Sequence, residues 1–240
     1  VSFPEIGYGR FTYGGLKPFL TKYSLKNADI VLAVSDFVKK QTIEKIKVKK
    51  IKVVYNCIDT EKFKPSKKLK ENIVVTIAKV TKSSIKLKGL ETFAKASINF
   101  PKLSFIIIGK YDKPSVNKLK KINSKIVFTG EISHDEVYNW LTKAKIYCQL
   151  SYIESFGMGV AEAMSCECVP VVTKKGGLIE VVGDVGFYTP YGDEKATTNS
   201  INNALKVTEQ KKQKIRKRIT EKFQLEKREK ELVEIIKEYT

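Results

Sequence analysis

Eight short apolar runs punctuate the chain, and in most of them the apolar residues stand side by side instead of alternating with polar ones. They are Ile30 to Val34, Ile51 to Tyr55, Ile73 to Ala78, Leu103 to Gly109, Ile126 to Thr129, Ile146 to Leu150, Val169 to Thr173 and Gly186 to Thr189. Strands read this way when both faces of their sheet are covered. Between them lie segments with helical spacing, such as Leu90, Phe93, Ala94 and Ile98, or Val137, Trp140 and Leu141. Strand and helix therefore alternate, which predicts an α/β fold with a doubly wound parallel sheet and helices on both of its faces.

A composition break falls at Glu61 to Glu71, where lysines surround Pro65 and Ser66 and hydrophobic content collapses, so it reads as a linker. Beyond it, from about Asn72, six strand-helix units make a complete Rossmann-like domain. Before it stand two strands, too few for a sheet with covered faces of its own. The chain is thus expected to divide into residues 1–66, the remnant of a first domain with its hinge, and residues 67–240. From Lys206 onward the sequence is helical and charged, with Ile215, Ile219, Phe223, Leu232, Ile235 and Ile236 as candidate core contacts. A solvated helix closing the domain is expected there. The chain opens on Val1 instead of Met, and its first segment carries no charged-then-apolar targeting pattern, which reads as a fragment or an unusual start.

Lysine and arginine number 45 against 26 acidic residues, a formal charge of +19. Such a balance suits nucleic acid, an anionic membrane surface, or the lysine-rich usage of heat-adapted proteins. The lysines are spread along the chain, which ranks the last reading first, membrane-surface association second and nucleic acid third. No apolar run approaches the roughly 20 residues of a membrane-spanning helix. Cys57 and Cys148 fall in strand-like segments, where a thiol acts as a small apolar residue, and a reducing, intracellular setting follows. Cys166 and Cys168 form a C-x-C pair, but His134 is the sole histidine and no second cysteine pair exists. No metal is therefore expected.

In a doubly wound sheet, ligands bind at the carboxyl ends of the strands. After Ile146 to Leu150 comes a stretch from Glu154 to Met164 in which Glu154 and Glu162 flank the turn Phe156-Gly157-Met158-Gly159 that opens a helix. The amides and the positive dipole end of such a turn attract an anion or sugar hydroxyls. After Ile73 to Ala78 come Lys79 and, at the start of the next helix, Lys88-Gly89; a pair of cations there can hold a diphosphate without a metal. A third loop carries Gly176-Gly177 with Glu180. Ser133 and Glu136 form a capping-box pattern around His134, which explains that histidine as a first-turn residue without a functional role.

The string Glu154-Ser155-Phe156-Gly157 through Glu162-Ala163-Met164, then Pro170-Val171-Val172 and Gly176-Gly177 with Glu180, resembles the glycosyl transferase group 1 family, also called glycosyltransferase family four, whose fold is GT-B. Asn27 to Ser35 and Val53 to Pro65 resemble the last strands and hinge of that family's first domain. The resemblance implies a retaining, metal-independent glycosyltransferase of the hexosyltransferase type that uses a UDP- or GDP-sugar as donor and no cofactor. It implies that Glu154 contacts hydroxyls of the donor sugar, helped by backbone N–H groups from Phe156 to Gly159. Glu162 matches the residue that binds the ribose. Lys79 and Lys88 match the basic pair that holds the diphosphate, while Gly130 and Ile132 lie near the base.

This sequence departs from the family pattern in three places. Ala78-Lys79 stands for the usual Gly-Arg, and lysine lacks the planar two-point grip of arginine. The loop from Thr81 to Leu87 is long, which makes Lys86 a substitute for Lys88, and Glu167 occupies a position where glycine is common, a variant helix end. Most of the acceptor-binding domain is expected to be missing, with a separate N-terminal domain on another chain as the candidate partner. The acceptor is then an open choice among a glycan, a lipid-linked molecule and a small molecule. The expected setting is cytoplasmic, with peripheral association at the inner face of the membrane and no nucleic acid. The competing reading is a degenerate donor domain that serves as a basic interaction module for membrane surface or nucleic acid.

Overall fold

The computed structural model describes residues 16–239. The first segment, in which no targeting pattern is read, falls on residues 1–15 outside them. Helix α1 (Leu16–Asn27) leads into β1 (Val31–Ala33), α2 (Asp36–Lys45) and β2 (Ile51–Val53). β1 and β2 pair in parallel, Val31 opposite Ile51, as a sheet of their own. The second unit runs β3 (Glu71–Ile77), α3 (Lys82–Leu87), α4 (Leu90–Ser97), β4 (Ser104–Ile108), α5 (Lys113–Ile122), β5 (Val127–Gly130) and α6 (His134–Lys143). It continues through β6 (Ala144–Gln149), α7 (Met158–Ser165), β7 (Val169–Thr173), α8 (Leu178–Val182), β8 (Phe187–Thr189) and α9 (Glu194–Leu205). Two helices, α10 (Glu209–Lys222) and α11 (Leu225–Lys237), follow it.

All six strands of the larger sheet are parallel, in the order β5-β4-β3-β6-β7-β8. Consecutive residues Val74 and Val75, Ile106 and Ile107, and Val171 and Val172 are buried on opposite faces, which is why their runs do not alternate. The chain builds outward from β3 to β5, then returns to β6 and builds the other way. The order therefore reverses between β3 and β6, and the crevice outside their carboxyl ends is where a doubly wound sheet receives a ligand.

Two expectations, on the Thr81 to Leu87 loop and on the C-terminal tail, need correction, and the linker is more firmly held than its composition suggests. The stretch from Thr81 to Leu87 is not a loop: Thr81 and Ser84 form a capping box and Lys82–Leu87 is helical, with Ile85 buried. One apolar contact in six residues gives no periodicity to read. Glu61 to Glu71 has no regular structure before β3, but it is not loose. Phe63 is 2% exposed in the core of the larger unit. Its carbonyl accepts from Ser165 Oγ (2.5 Å) and Arg216 Nη1 (3.0 Å), and Lys70 Nζ donates to Ala144 O (2.8 Å).

The tail is not a solvated helix that closes one domain. Ile215, Ile219 and Phe223 of the α10 region and Ile235 of α11 are buried, Leu232 is half-buried, and Ile236 is 60% exposed. Beyond α10 the chain turns back onto the smaller sheet. Ile58 N–H donates to Phe223 O (2.8 Å), Arg228 Nη1 donates to Asn56 Oδ1 (3.1 Å), and Glu238 pairs with Lys50 (3.1 Å) and Lys52 (2.7 Å).

Candidate functional site

β6 delivers polar side chains into an otherwise apolar strand. Tyr147 and Gln149 alternate along it, Ser151 follows two residues past its end, and all three are buried. The Tyr147 hydroxyl donates to Gln149 Oε1 (2.8 Å), and Gln149 Nε2 donates to Ser151 Oγ (2.9 Å) and Glu154 Oε1 (2.8 Å). Ser151 Oγ reaches the same Glu154 oxygen at 2.7 Å. Lys88 Nζ is the third donor on it, at 2.6 Å, in an ion pair that is largely buried on both sides. Charge-assisted bonds of this kind are the strong ones. They hold the Glu154 carboxylate in a single place at the mouth of the crevice.

The backbone fixes Glu154 as well. Gly177 N–H donates to Glu154 O (2.9 Å). Gly176 (φ +58°) lies so close to that carbonyl that a Cβ would collide with it. The paired glycines therefore serve to press the loop after β7 against the loop after β6. Gly157 (φ 109°) caps α7 and brings no side-chain acceptor, so the first-turn amides gain none from it. Phe156 is buried, Met158 is exposed, and a Cβ on Gly159 would strike the Tyr147 hydroxyl.

Lys88 is placed by a close crossing. It is the C-cap of α3, and Gly89 (φ 64°) follows it in the left-handed region with the Leu150 carbonyl where a Cβ would be. Tyr152 N–H donates to Leu87 O (2.8 Å), which ties this corner to the end of β6. Lys88, and not Lys86, is thus the lysine that meets Glu154. Lys86 is exposed, and its carbonyl accepts from the Tyr191 hydroxyl (2.6 Å). Lys79 follows the end of β3, exposed, and its carbonyl accepts from Ser84 Oγ.

Glu162 lies inside α7, 9% exposed. Burial pushes its carboxyl above the usual range, while a hydrogen bond and charge from His134 and the charge of Lys62 pull it back. His134 Nε2 stands 3.1 Å from Glu162 Oε1. The capping box around His134 is present, with Glu136 Oε2 accepting from Ser133 N–H at 2.9 Å, but capping does not exhaust what that residue does. Burial first, then the charges of Glu162 and Glu154, push the Tyr147 hydroxyl well above its ordinary range and keep it neutral. The charges of both carboxylates thus reach one buried phenol. Gly130 (φ 79°) ends β5, its carbonyl accepting from Gly109 N–H (3.0 Å), and half-buried Ile132 follows, so this loop leads directly into His134.

Residues 58–222 match the family described as glycosyl transferases group 1. The chain belongs to that family. Residues 7–62 match the description Glycosyltransferase Family 4. The phosphatidylinositol N-acetylglucosaminyltransferase gpi3 subunit of Schizosaccharomyces pombe is 25% identical over 193 residues, 75% of this chain and 42% of that protein. The N-acetyl-alpha-D-glucosaminyl L-malate synthase of Bacillus anthracis is 28% identical over 230 residues, 87% of this chain and 59% of that protein. The chain spans about half the length of the curated relatives it matches. Anabaena Alr3699/HepE, solved in complex with UDP and glucose, shares the fold with a TM-score of 0.79 at 21% identity, over 89% of this chain and 64% of that one.

Against the pattern of the group 1 family, the variant helix end at Glu167 has a clear geometry. Glu167 N–H donates to Met164 O and Cys168 N–H to Ala163 O, both at 2.9 Å, and Glu167 has φ 62°. This is a Schellman ending with glutamate in the left-handed position that favours glycine. The neighbouring cysteines are packing residues. Burial pushes both thiols up, and Cys168 Sγ donates to Leu141 O (3.0 Å). Among the described residues no group of three or more His, Cys, Asp or Glu gathers as metal ligands. Sequence reasoning missed Gln149 and Ser151, and it did not see the contact of His134 with Glu162. The signal for the first two was polar residues at alternate positions, Tyr147, Gln149 and Ser151, running from an otherwise apolar strand into the loop after it.

Proposed function

We propose that this chain supplies the donor-binding part of a retaining, metal-independent glycosyltransferase that moves a sugar from a UDP- or GDP-sugar to an acceptor. One observation carries the reading: Lys88, Gln149 and Ser151 converge on a single oxygen of Glu154 beside the glycine-opened start of α7. With Oε1 occupied by three donors, Oε2 is left to accept hydroxyls of the donor sugar, and the amides from Phe156 to Gly159 add donors. Glu162 accepts from the ribose, and Gly130 and Ile132 border the base. Lys88 and Lys79 lie along the diphosphate. When the bond from the sugar to the diphosphate breaks, the electron pair stays on the departing oxygen, and these ammonium groups stabilise the charge that a metal would otherwise meet.

Residues 1–66 belong, in this reading, to an acceptor-binding domain and its hinge, and the match of residues 7–62 supports that division. Acceptor choice, whether glycan, lipid-linked or small molecule, rests with that domain. The +19 charge supports work at the cytoplasmic face of a membrane, where anionic headgroups attract lysine. Among the described residues no helix is long and apolar enough to cross one. Titration with UDP-N-acetylglucosamine, UDP-glucose and GDP-mannose, with and without chelator, tests the reading. At least one donor binds, chelator changes nothing, and Glu162→Ala abolishes binding. No binding to any donor, or unchanged binding by that variant, ends it.

A further inference from the structure

Glu162 is a charged side chain placed where a charge is expensive. Its neighbours on α7, Val160, Ala161, Ala163 and Met164, are all fully buried. A carboxylate there must be hydrogen-bonded to remain ionised. Among the described residues the partner that bonds it is His134, whose Nε2 lies 3.1 Å from Oε1. The His134 side chain is itself 57% exposed, so burial does not account for where it points. It reaches from the start of α6 toward the one acidic side chain on α7.

The imidazole is held for that purpose. His134 is the first residue of α6, with its backbone set by the Ser133–Glu136 cap. One ring edge packs against Phe63, with centroids 5.0 Å apart at 63°. Phe63 cannot yield, because it is buried and its carbonyl is bound by Ser165 and Arg216. The other charged groups nearby are accounted for: Lys62 pairs with Asp135 (2.7 Å) while its charge also acts on Glu162, Glu136 holds the cap, and Tyr147 lies neutral behind Glu162. An ionised Glu162 carboxylate can only accept, so with Glu162 ionised Nε2 of His134 is the donor in this contact.

We propose that His134 is a positioning residue for nucleotide recognition: its N–H holds Oε1 of Glu162, which leaves Oε2 turned to the vicinal hydroxyls of the ribose. The inference rests on the assignment of Glu162 to the ribose made above. It predicts that the loss on removing His134 depends on the ribose hydroxyls and vanishes once Glu162 is gone.

The test is calorimetric titration of the full chain with UDP and GDP, and with the 2′-deoxy form of whichever binds. His134→Ala weakens nucleotide binding by about 10-fold, the size of one hydrogen bond to a charged group. His134→Gln, which keeps an N–H donor at similar reach, restores most of the loss. The penalty of His134→Ala shrinks for the 2′-deoxy nucleotide and disappears in a Glu162→Gln background. The acid limb of the binding curve against pH also moves up in His134→Ala, because the carboxylate loses the bond that favours its ionised form. Equal affinity of His134→Ala and the wild type overturns this inference alone, as does an equal penalty for both nucleotides. Failure of the wild type to bind UDP or GDP overturns the assignment of Glu162 as well.

Discussion

The Glu180 carboxylate accepts the backbone N–H of Phe37 (2.9 Å), and its second oxygen accepts that of Asp36 (2.8 Å), at the start of α2. These residues are 143 and 144 positions apart in the chain, Glu180 on α8 beside the larger sheet and Asp36 and Phe37 on α2 beside the smaller one. A carboxylate on free helix amides combines two hydrogen bonds with the favourable end of the dipole. Beside it Ser35 Oγ donates to Ser155 O (2.6 Å), next to Glu154. Glu180, which the motif alone associates with the donor loops, thus acts as a clasp between the small sheet and the large one.

Glu180→Ala is therefore expected to destabilise the chain by about 1–2 kcal/mol, the range for charge-assisted bonds at a partly exposed helix end. The loss should fall mainly on residues 31–53. Hydrogen exchange reads it directly: protection of α2 and β2 drops while that of β3 and β6 holds. Equal loss in both sheets, or none, contradicts a clasp.

At Glu167 the prediction has the opposite sign. A left-handed residue with a Cβ costs about 1–2 kcal/mol that glycine does not incur. The Schellman bonds at Glu167 and Cys168 are backbone bonds and survive substitution. Glu167→Gly is expected to raise the melting temperature by about 2–4 °C for a chain of this size. A lower melting temperature would mean that the glutamate side chain carries a contact worth more than the strain.

The fold was legible because burial on both faces of a parallel sheet leaves a direct mark. Each of the eight apolar runs overlaps an observed strand, and the helices begin at caps such as Ser133, Asp112 and Asp193 whose side chains bind the first amides. The meeting of Lys88 with Glu154 was legible as a consequence of strand ends sharing one edge. The pairing of His134 with Glu162 was not, since local spacing explains His134 fully as a cap and says nothing of what α7 brings opposite. Nor was the return of α11 to the small sheet: the polar contacts that fix it, such as Arg228 with Asn56 and Glu238 with Lys52, join residues more than 170 positions apart, and no local pattern marks them.

The two candidate diphosphate lysines should separate experimentally. Lys88 is half-buried and bonded to Glu154, whereas Lys79 is exposed. Lys88→Ala removes the proposed phosphate contact and leaves the Glu154 carboxylate without its cation, so UDP affinity should fall roughly 10- to 100-fold. The fall for Lys79→Ala should be smaller and more sensitive to salt, because water and ions screen an exposed charge. Titration of each variant with UDP and with uridine checks the assignment. A loss as large for uridine as for UDP would place neither lysine at the diphosphate.

The burial of Glu162 sets up a conflict between binding and stability that pH can expose. Its carboxyl in the folded chain is held above the ordinary 4.5, with burial the largest cause and His134 and Lys62 opposing it. Between the unfolded and folded values the native chain binds more protons than the unfolded one, so stability falls as pH rises through that window. The contribution of the protonated carboxyl is present below 4.5 and lost above the folded value. Glu162→Gln fixes the neutral form at every pH. It should therefore be more stable than the wild type at neutral pH, by a margin that closes as the pH is lowered toward 4.5, while its affinity for nucleotide drops. Urea denaturation of both proteins across that range measures the margin. A constant difference would mean that the ionised carboxylate is fully compensated in place by His134 and Lys62, and that the site is held at no cost to the fold.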